Sequence, residues 1–401
     1  MFPSVDEIIR REGGPVVATL CRMTGDLELA EDAYAEAVVE ALRRWPEDGL
    51  PERPGAWLTT VARRKALDTL RRERTRTRRE EEAIAMLDDP APLTYHTVRD
   101  DQLRLIFTCC HPALAVESRV ALALRVICHL TTAEIAHAFL VSESAMTRRL
   151  TRAKAKLAAN NIAYRVPPDE ELPARLNGVL AVIAIVFTTG HHAPAGAELV
   201  RVDLAHEAIR LAGLLADLMP DEPECLGLLA LLRSTDARRS TRVGLDGLPV
   251  LLGDADRSTW DRDEIAAAVE LTERALRRGR PGQYQLQAAI SCLHSSAPSA
   301  AQTDWHQIVQ LYDVLATMTP STPVLVNRAV AVAEAEGPAA GLAALDAVDG
   351  ADDWHLYHAA RAELLRRLDR HTDAAEALRT ALALPHNDVD GRLLQSRLAD
   401  L

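Results

Sequence analysis

Apolar residues recur along most of this chain at the spacing of a helix. Between Glu28 and Trp45, Leu29, Ala33, Ala37, Val38, Ala41, Leu42 and Trp45 return every three or four positions, while Glu31, Asp32, Glu36 and Glu40 fall on the other face. That is the pattern of an amphipathic helix with one buried side. Pro46, Gly49, Pro51 and Pro54 interrupt it as a loop. A further helix is predicted to start between Pro54 and Trp57 and to continue to about Arg79. An acidic stretch follows, Glu80-Glu81-Glu82 and then Asp88-Asp89-Pro90, with the composition of a linker.

Between Leu130 and Leu157 the pattern predicts two short helices joined by a tight turn. Thr131 or Thr132 can cap the first, with Glu134 in its first turn facing the positive end of the macrodipole. Its inward face is Ile135, Ala136, Phe139 and Leu140, and Ser142 caps the second helix from Glu143. Met146, Leu150, Ala153 and Leu157, spaced 4, 3 and 4, form the buried side of that helix. Ser144, Thr147, Arg148, Thr151 and Arg152 are left facing outward, flanked by Arg149, Lys154 and Lys156. Short polar and arginine side chains near the start of a helix, with more cations behind, are what base edges and phosphates of a major groove require. An ordinary amphipathic helical hairpin would also give the apolar spacing. It would not need two caps, a short turn and a one-sided basic face together.

Val166-Pro167-Pro168 ends this segment, and an Ala/Leu-rich helical array broken by Gly and Pro follows. Tyr312, Leu345 and Leu378 stand 33 residues apart, as do Ala329 and Ala362, and Val332 and Leu365. That interval is close to the ~34 residues of helical-hairpin repeats. Asp369 occupies a place where such repeats commonly have Gly.

Composition agrees with helix throughout, since β-branched runs are scarce and aromatics are 4%. The longest apolar run, Val179 to Phe187, is far short of the ~20 residues of a membrane span, so a cytoplasmic protein is expected. Net charge is −12, unfavourable for nucleic acid if evenly spread. It is not evenly spread. Residues 1–165 hold 25 Lys+Arg and 24 Asp+Glu, which leaves 21 of the 46 basic and 34 of the 58 acidic residues, net −13, for the remainder. Nine Lys+Arg against two acids lie between Arg63 and Arg79. With Trp57 at its start, that helix can hold single-stranded nucleic acid through backbone charge and base stacking.

The six cysteines, Cys21, Cys109, Cys110, Cys128, Cys225 and Cys292, form no C-x-x-C pair and read as buried reduced thiols, with no metal or other cofactor expected. His191-His192 and the Asp203, His206, Glu207 group do not converge as ligands, so they read as a solvated helix face and no catalytic residue is assigned.

Taken in order, these motifs resemble the extracytoplasmic-function sigma factors of the sigma-70 family. AEDAYAEAVVEALRRW resembles the sigma-2 helix that docks on the β′ clamp of core RNA polymerase, and AWLTTVARRKALDTLRRERTR the helix that melts and reads the minus-10 element. The helix–turn–helix resembles the sigma-4 domain that reads minus-35 and meets the β flap. FTCCHPAL, DEPECLGLLALL, ADRSTWDRDEIAAA and GRPGQYQLQAAI are similar to a subgroup with a long tetratricopeptide-like extension, so the resemblance covers essentially the whole chain. Ala35 and Val38 stand where the family usually has Gln and Phe, Arg64 where general members often have Asn, and Thr188-Thr189-Gly190-His191 where the subgroup reads Asn-Glu-Gly-Tyr.

The resemblance implies an all-α protein: a sigma-2 domain at 1–80, a linker at 81–99, a sigma-4 helix–turn–helix domain at 100–165 and a C-terminal helical extension at 166–401. It implies a promoter-specificity subunit rather than an enzyme. Its expected partners are core RNA polymerase, promoter DNA and a possible protein partner of the extension, with no membrane. Docking on polymerase falls to Glu31, Asp32, Glu36 and Glu40; minus-10 contacts to Trp57, Arg63, Arg64, Lys65, Arg71 and Arg72; minus-35 contacts to Ser144, Thr147, Arg148, Arg149, Thr151, Arg152 and Lys154. A conventional helix–turn–helix regulator with a helical sensor domain is the alternative. Such a regulator usually reads two half-sites as a dimer and has no use for the basic helix.

Overall fold

The computed structural model describes residues 5–74, 95–139, 141–160, 162, 171–191, 202–244 and 248–401. The acidic stretch, Arg76 to Arg79, Leu140, Val166 to Pro168 and His192 lie outside the described residues, as do the side chains of Arg72 and Asp203. Among the described residues the fold is all-α, with no strand beyond a single antiparallel bridge between Val243 and Pro249. The chain forms two compact units, residues 1–186 and 187–401.

In the first unit, α1 (Val5–Thr24), α2 (Leu27–Asp48) and α3 (Pro54–Arg74) form one bundle. Asp26 starts α2 by accepting bonds from the Glu28 and Leu29 amides at 2.8 and 3.1 Å. Gly49 stops it at φ +82. The seam is lined by alanines, with Ala30, Ala33, Ala37 and Ala41 of α2 facing Ala62 and Ala66 of α3 and the larger Val16, Val17 and Leu20 of α1. Small residues let the three backbones approach, and Trp45 closes the end.

The face of α2 is rotated from the sequence expectation. Tyr34 is buried and donates to the Ile9 carbonyl at 2.7 Å, whereas Leu42 is 49% and Val39 67% exposed. With alanine supplying most of the apolar positions, the heavier Tyr34 sets the buried side.

Four further helices complete the unit: α4 (Tyr95–Cys109), α5 (Val116–Val126), α6 (Thr132–Ala138) and α7 (Glu143–Ala159). α4 begins inside the stretch expected as linker at 81–99, and residues 81–94 of that stretch are not described. The first turns of α8 (Leu172–His191) also pack here, with Arg175 donating to the Phe107 carbonyl at 2.9 Å. All six cysteines are buried thiols outside any disulfide. Burial pushes the Cys110 thiol up to about 12, so it stays protonated and packs as a small apolar group.

The second unit contains α9 (Val202–Leu218), α10 (Pro223–Asp236), α11 (Arg262–Leu276) and α12 (Gln283–Ser296). Six helices then alternate: α13 (Trp305–Met318), α14 (Thr322–Glu336), α15 (Pro338–Asp346), α16 (His355–Arg367), α17 (His371–Ala383) and α18 (Asp388–Ala399). Helices α13, α15 and α17 start 33 residues apart, and so do α14, α16 and α18. The sequence period is thus the period of helical hairpins. Ala329 and Ala362 are buried where paired helices meet, and Leu345, Leu365 and Leu378 fill the core between them. Asp369 takes the left-handed turn before α17 at φ +58, the conformation for which repeats favour Gly there.

Candidate nucleic-acid interface

The turn between α5 and α6 is fixed by a reciprocal cap. Thr131 Oγ1 accepts from the Glu134 amide at 3.1 Å, and the Glu134 carboxylate accepts from the Thr131 amide at 2.6 Å. Thr131, rather than Thr132, is therefore the cap. Partial burial opposes ionisation of Glu134, but the bonds from Thr131 and from Arg10 outweigh it and hold the carboxyl below its usual range. Ser142 caps α7 through the Ala145 amide at 3.2 Å.

Met146, Leu150, Ala153 and Leu157 are buried against the rest of the unit. Ser144, Thr147, Arg148, Thr151 and Arg152 are exposed on the opposite side. The Thr147 and Thr151 hydroxyls bond back to the Glu143 and Thr147 carbonyls, and Arg152 Nε donates to the Arg148 carbonyl at 3.2 Å. The two expected phosphate contacts are placed differently. Arg149 lies over the Phe139 ring at 5.5 Å, and Lys154 pairs with Glu31 of α2 at 2.7 Å.

On α3, Trp57 meets Trp45 edge-on at 5.5 Å, so part of its surface is already used in packing. Arg64 is exposed. Lys65 reaches across to Glu36 of α2 at 3.1 Å, Arg71 lies 3.8 Å from Asp68, and Arg63 is partly buried. The helix carries Arg72 as well.

Among the acids of α2, Glu31 is nearly buried between Lys154 and Arg125, Glu36 holds Lys65, and Glu40 holds Arg43 and Arg44 at 3.1 and 2.6 Å. Asp32 is exposed. The outward side of α2 includes Leu42, which the sequence pattern had placed on the buried face, and Val39, which it had not singled out. Ala35, Val39 and Leu42, at steps of four and three, form an exposed apolar stripe beside Asp32 and Glu36.

Contacts between helices far apart in sequence join α1 and α2 to the α4–α7 segment. Arg10 pairs with Glu134 at 2.7 Å and Arg22 with the buried Asp101 at 2.8 Å. His129, at φ +52, sets its ring 4.9 Å from that of Tyr34. Gly13 of α1 makes room for it, since a Cβ there would stand 2.3 Å from the His129 ring. The adjacent glycines Gly13-Gly14, directly before Pro15 inside α1, are the sequence signal that another group comes close here.

No helix among the described residues is long and apolar enough to cross a membrane, and no group of three or more His, Cys, Asp or Glu is placed to hold a metal.

Comparison with known proteins gives three family matches in the same order as these elements. Residues 8–76 match sigma-70 region 2, residues 104–157 match sigma-70 region 4, and residues 175–276 match a family of unknown function, DUF6596. The chain is also similar to an uncharacterised protein of Rhizobium meliloti (strain 1021), 42% identical over 392 residues that cover 96% of this chain and 93% of that protein. Region 2 coincides with α1–α3 and region 4 with α4–α7, so the helix–turn–helix and the bundle before it are the two promoter-directed parts of a sigma factor. The chain belongs to the sigma-70 family, as an extracytoplasmic-function-type sigma factor carrying a C-terminal helical extension.

Proposed function

We propose that this sigma factor places α7 in the major groove of the minus-35 element and α3 against the melted minus-10 strand, while the exposed stripe of α2 docks on the β′ clamp and the α4–α7 segment meets the β flap. The observation that carries the reading is the division of α7. Its apolar side is buried and its exposed side holds Ser144, Thr147, Arg148, Thr151 and Arg152. Arg148 and Arg152 address base edges; Arg149 and Lys154 address phosphates. Trp57, Arg63, Arg64, Lys65, Arg71 and Arg72 serve the minus-10 strand by stacking and charge. The protein acts in the cytoplasm as a binding subunit with no chemistry of its own.

The compact first unit is then the form that precedes promoter binding. Centres of minus-10 and minus-35 lie about two and a half duplex turns apart, roughly 90 Å at ~35 Å per turn. Ion pairs of 2.7 Å between α2 and α7 and between Arg10 and Glu134 cannot persist across that span. Engagement of polymerase has to separate the two segments, exchanging Glu31 for phosphate at Lys154 and freeing Glu31 for the clamp. The acidic extension, net −13 after residue 165, tunes how readily this occurs by competing with DNA for the basic helices.

The test is Arg152→Ala in transcription by core polymerase. A lost bidentate base contact costs about 1–3 kcal/mol and relaxes preference at the base pairs it reads. Equal loss on every minus-35 variant would show that Arg152 meets phosphate, and no loss on any variant would remove α7 from the groove.

A further inference from the structure

Four arginines of the second unit make no ion pair among the described residues. Arg238 follows the C-terminal end of α10, Arg242 lies just beyond the 3-10 turn Arg239–Thr241, Arg257 opens the 3-10 turn Arg257–Thr259, and Arg262 begins α11. Their neighbours are paired conventionally, Arg233 with Glu264 at 2.5 Å and Arg239 with Asp236 at 2.7 Å. Arg257 and Arg262 are satisfied by main chain. Arg257 donates to the His294 and Ala297 carbonyls, and Arg262 to those of Arg257 and Ser295.

Arg238 and Arg242 differ from all of these. Each has a buried Nε–H that bonds to nothing. Arg238 donates through NH2 to the Ser291 hydroxyl at 3.2 Å, and Arg242 NH1 meets His191 Nε2 at 2.7 Å. Neither reaches a carboxylate within ion-pair distance among the described residues. The acid felt by Arg242 is Asp390, which is itself bonded to Asn387 at 2.9 Å. Arg257 and Arg238 share the Trp260 ring, at 5.0 and 6.0 Å from its centroid. Burial, with Arg242 and Arg257 as like charges nearby, lowers Arg238 to about 10. Burial beside Arg238 and Arg257 lowers His294 to about 4, a second report of the same positive field.

Guanidinium groups withdrawn from water without counter-charge, and with N–H donors unmade, are costly. A tetrahedral oxyanion removes both costs at once, because its oxygens accept from the planar fork and its charge offsets the cluster. Several cations without an acid call for a dianion rather than a monoanion. We propose that Arg238, with the Ser291 and Thr235 hydroxyls on its side, and Arg242 form a binding site for a phosphate-type dianion in the extension.

The test uses the full chain. Thermal unfolding is followed at rising inorganic phosphate, with chloride and acetate at matched ionic strength. The site predicts a saturable rise of Tm in phosphate and none in chloride or acetate beyond a common salt effect. Arg238→Lys and Arg242→Lys keep the charge but lose the fork, and each should weaken phosphate at least tenfold. Arg239→Lys, whose arginine is held by Asp236, should leave it unchanged. If both first-named variants fail to fold, hydrogen exchange on the unaltered chain still decides: phosphate should protect residues 223–244 and 257–262 above the rest. A Tm rise equal in all three salts, a rise undiminished in folded variants, or protection spread evenly over the chain would each overturn the site.

Discussion

Gly13→Ala is expected to destabilise the first unit, although alanine is the better helix former. Inside a helix the exchange favours the folded state by about 1 kcal/mol. Here the new Cβ would stand 2.3 Å from His129 Cδ2, 2.5 Å from Nε2 and 2.7 Å from the Tyr34 hydroxyl. Each is more than 0.5 Å inside ordinary contact, so the ring and the hydroxyl must both retreat. Neither moves easily, because His129 is fixed by a backbone at φ +52 and Tyr34 donates to the Ile9 carbonyl at 2.7 Å. Overpacking of this kind costs about 1–3 kcal/mol, and losing the Tyr34 bond adds about 1 kcal/mol. The net expectation is a loss of roughly 1–3 kcal/mol after the helical gain. Gly213 of α9 is the control, since a Cβ there meets nothing within 4 Å, and Gly213→Ala should stabilise by up to about 1 kcal/mol. Hydrogen exchange resolved by peptide measures each unit by itself. The reasoning fails if Gly13→Ala protects α1 and α2 as Gly213→Ala protects α9, because His129 would then not be seated on α1.

Two further outcomes are expected. Val39→Asp, at a site 67% exposed, should change stability by no more than ~0.5 kcal/mol yet weaken core polymerase in a pull-down, while undiminished capture would take the α2 stripe out of the interface. Glu134 has its folded pKa lowered, so its contribution is present above the ordinary carboxylate range and lost as pH falls through the lowered value. Glu134→Gln should therefore flatten the acid side of the stability–pH curve, and an unchanged acid limb in urea titrations would contradict the pairing with Thr131 and Arg10.

Local features were legible in the sequence, and contacts across it were not. The buried face of α7 followed from four residues at 4, 3 and 4 and a serine cap, all within one helix. The helical-hairpin period was legible for the same reason, as each repeat carries its own small and large residues. The face of α2 was misjudged at Leu42 because alanines mark two sides equally, and a partner distant in sequence, the Ile9 carbonyl, decides for Tyr34. Glu31 read as a free surface acid because Lys154, 123 residues later, leaves no trace in its neighbourhood. The choice between Thr131 and Thr132 needed backbone geometry. Arg238 and Arg242, which form no ion pair among the described residues, looked like any other arginines in a charged segment until their neighbours' carboxylates were located.

The account rests on α7 and α3 acting together on one promoter while held by polymerase. The direct measurement is run-off transcription from sheared genomic DNA by core RNA polymerase with and without this chain, with transcript 5′ ends mapped by sequencing. The account predicts new 5′ ends that appear only when the chain is added, preceded by shared sequences centred about 10 and about 35 base pairs upstream, a spacing of roughly two and a half duplex turns. It also predicts that Arg152→Ala erodes the upstream sequence while leaving the downstream one. No new 5′ ends, together with sequence-specific binding of the same DNA by the chain without polymerase, would contradict it.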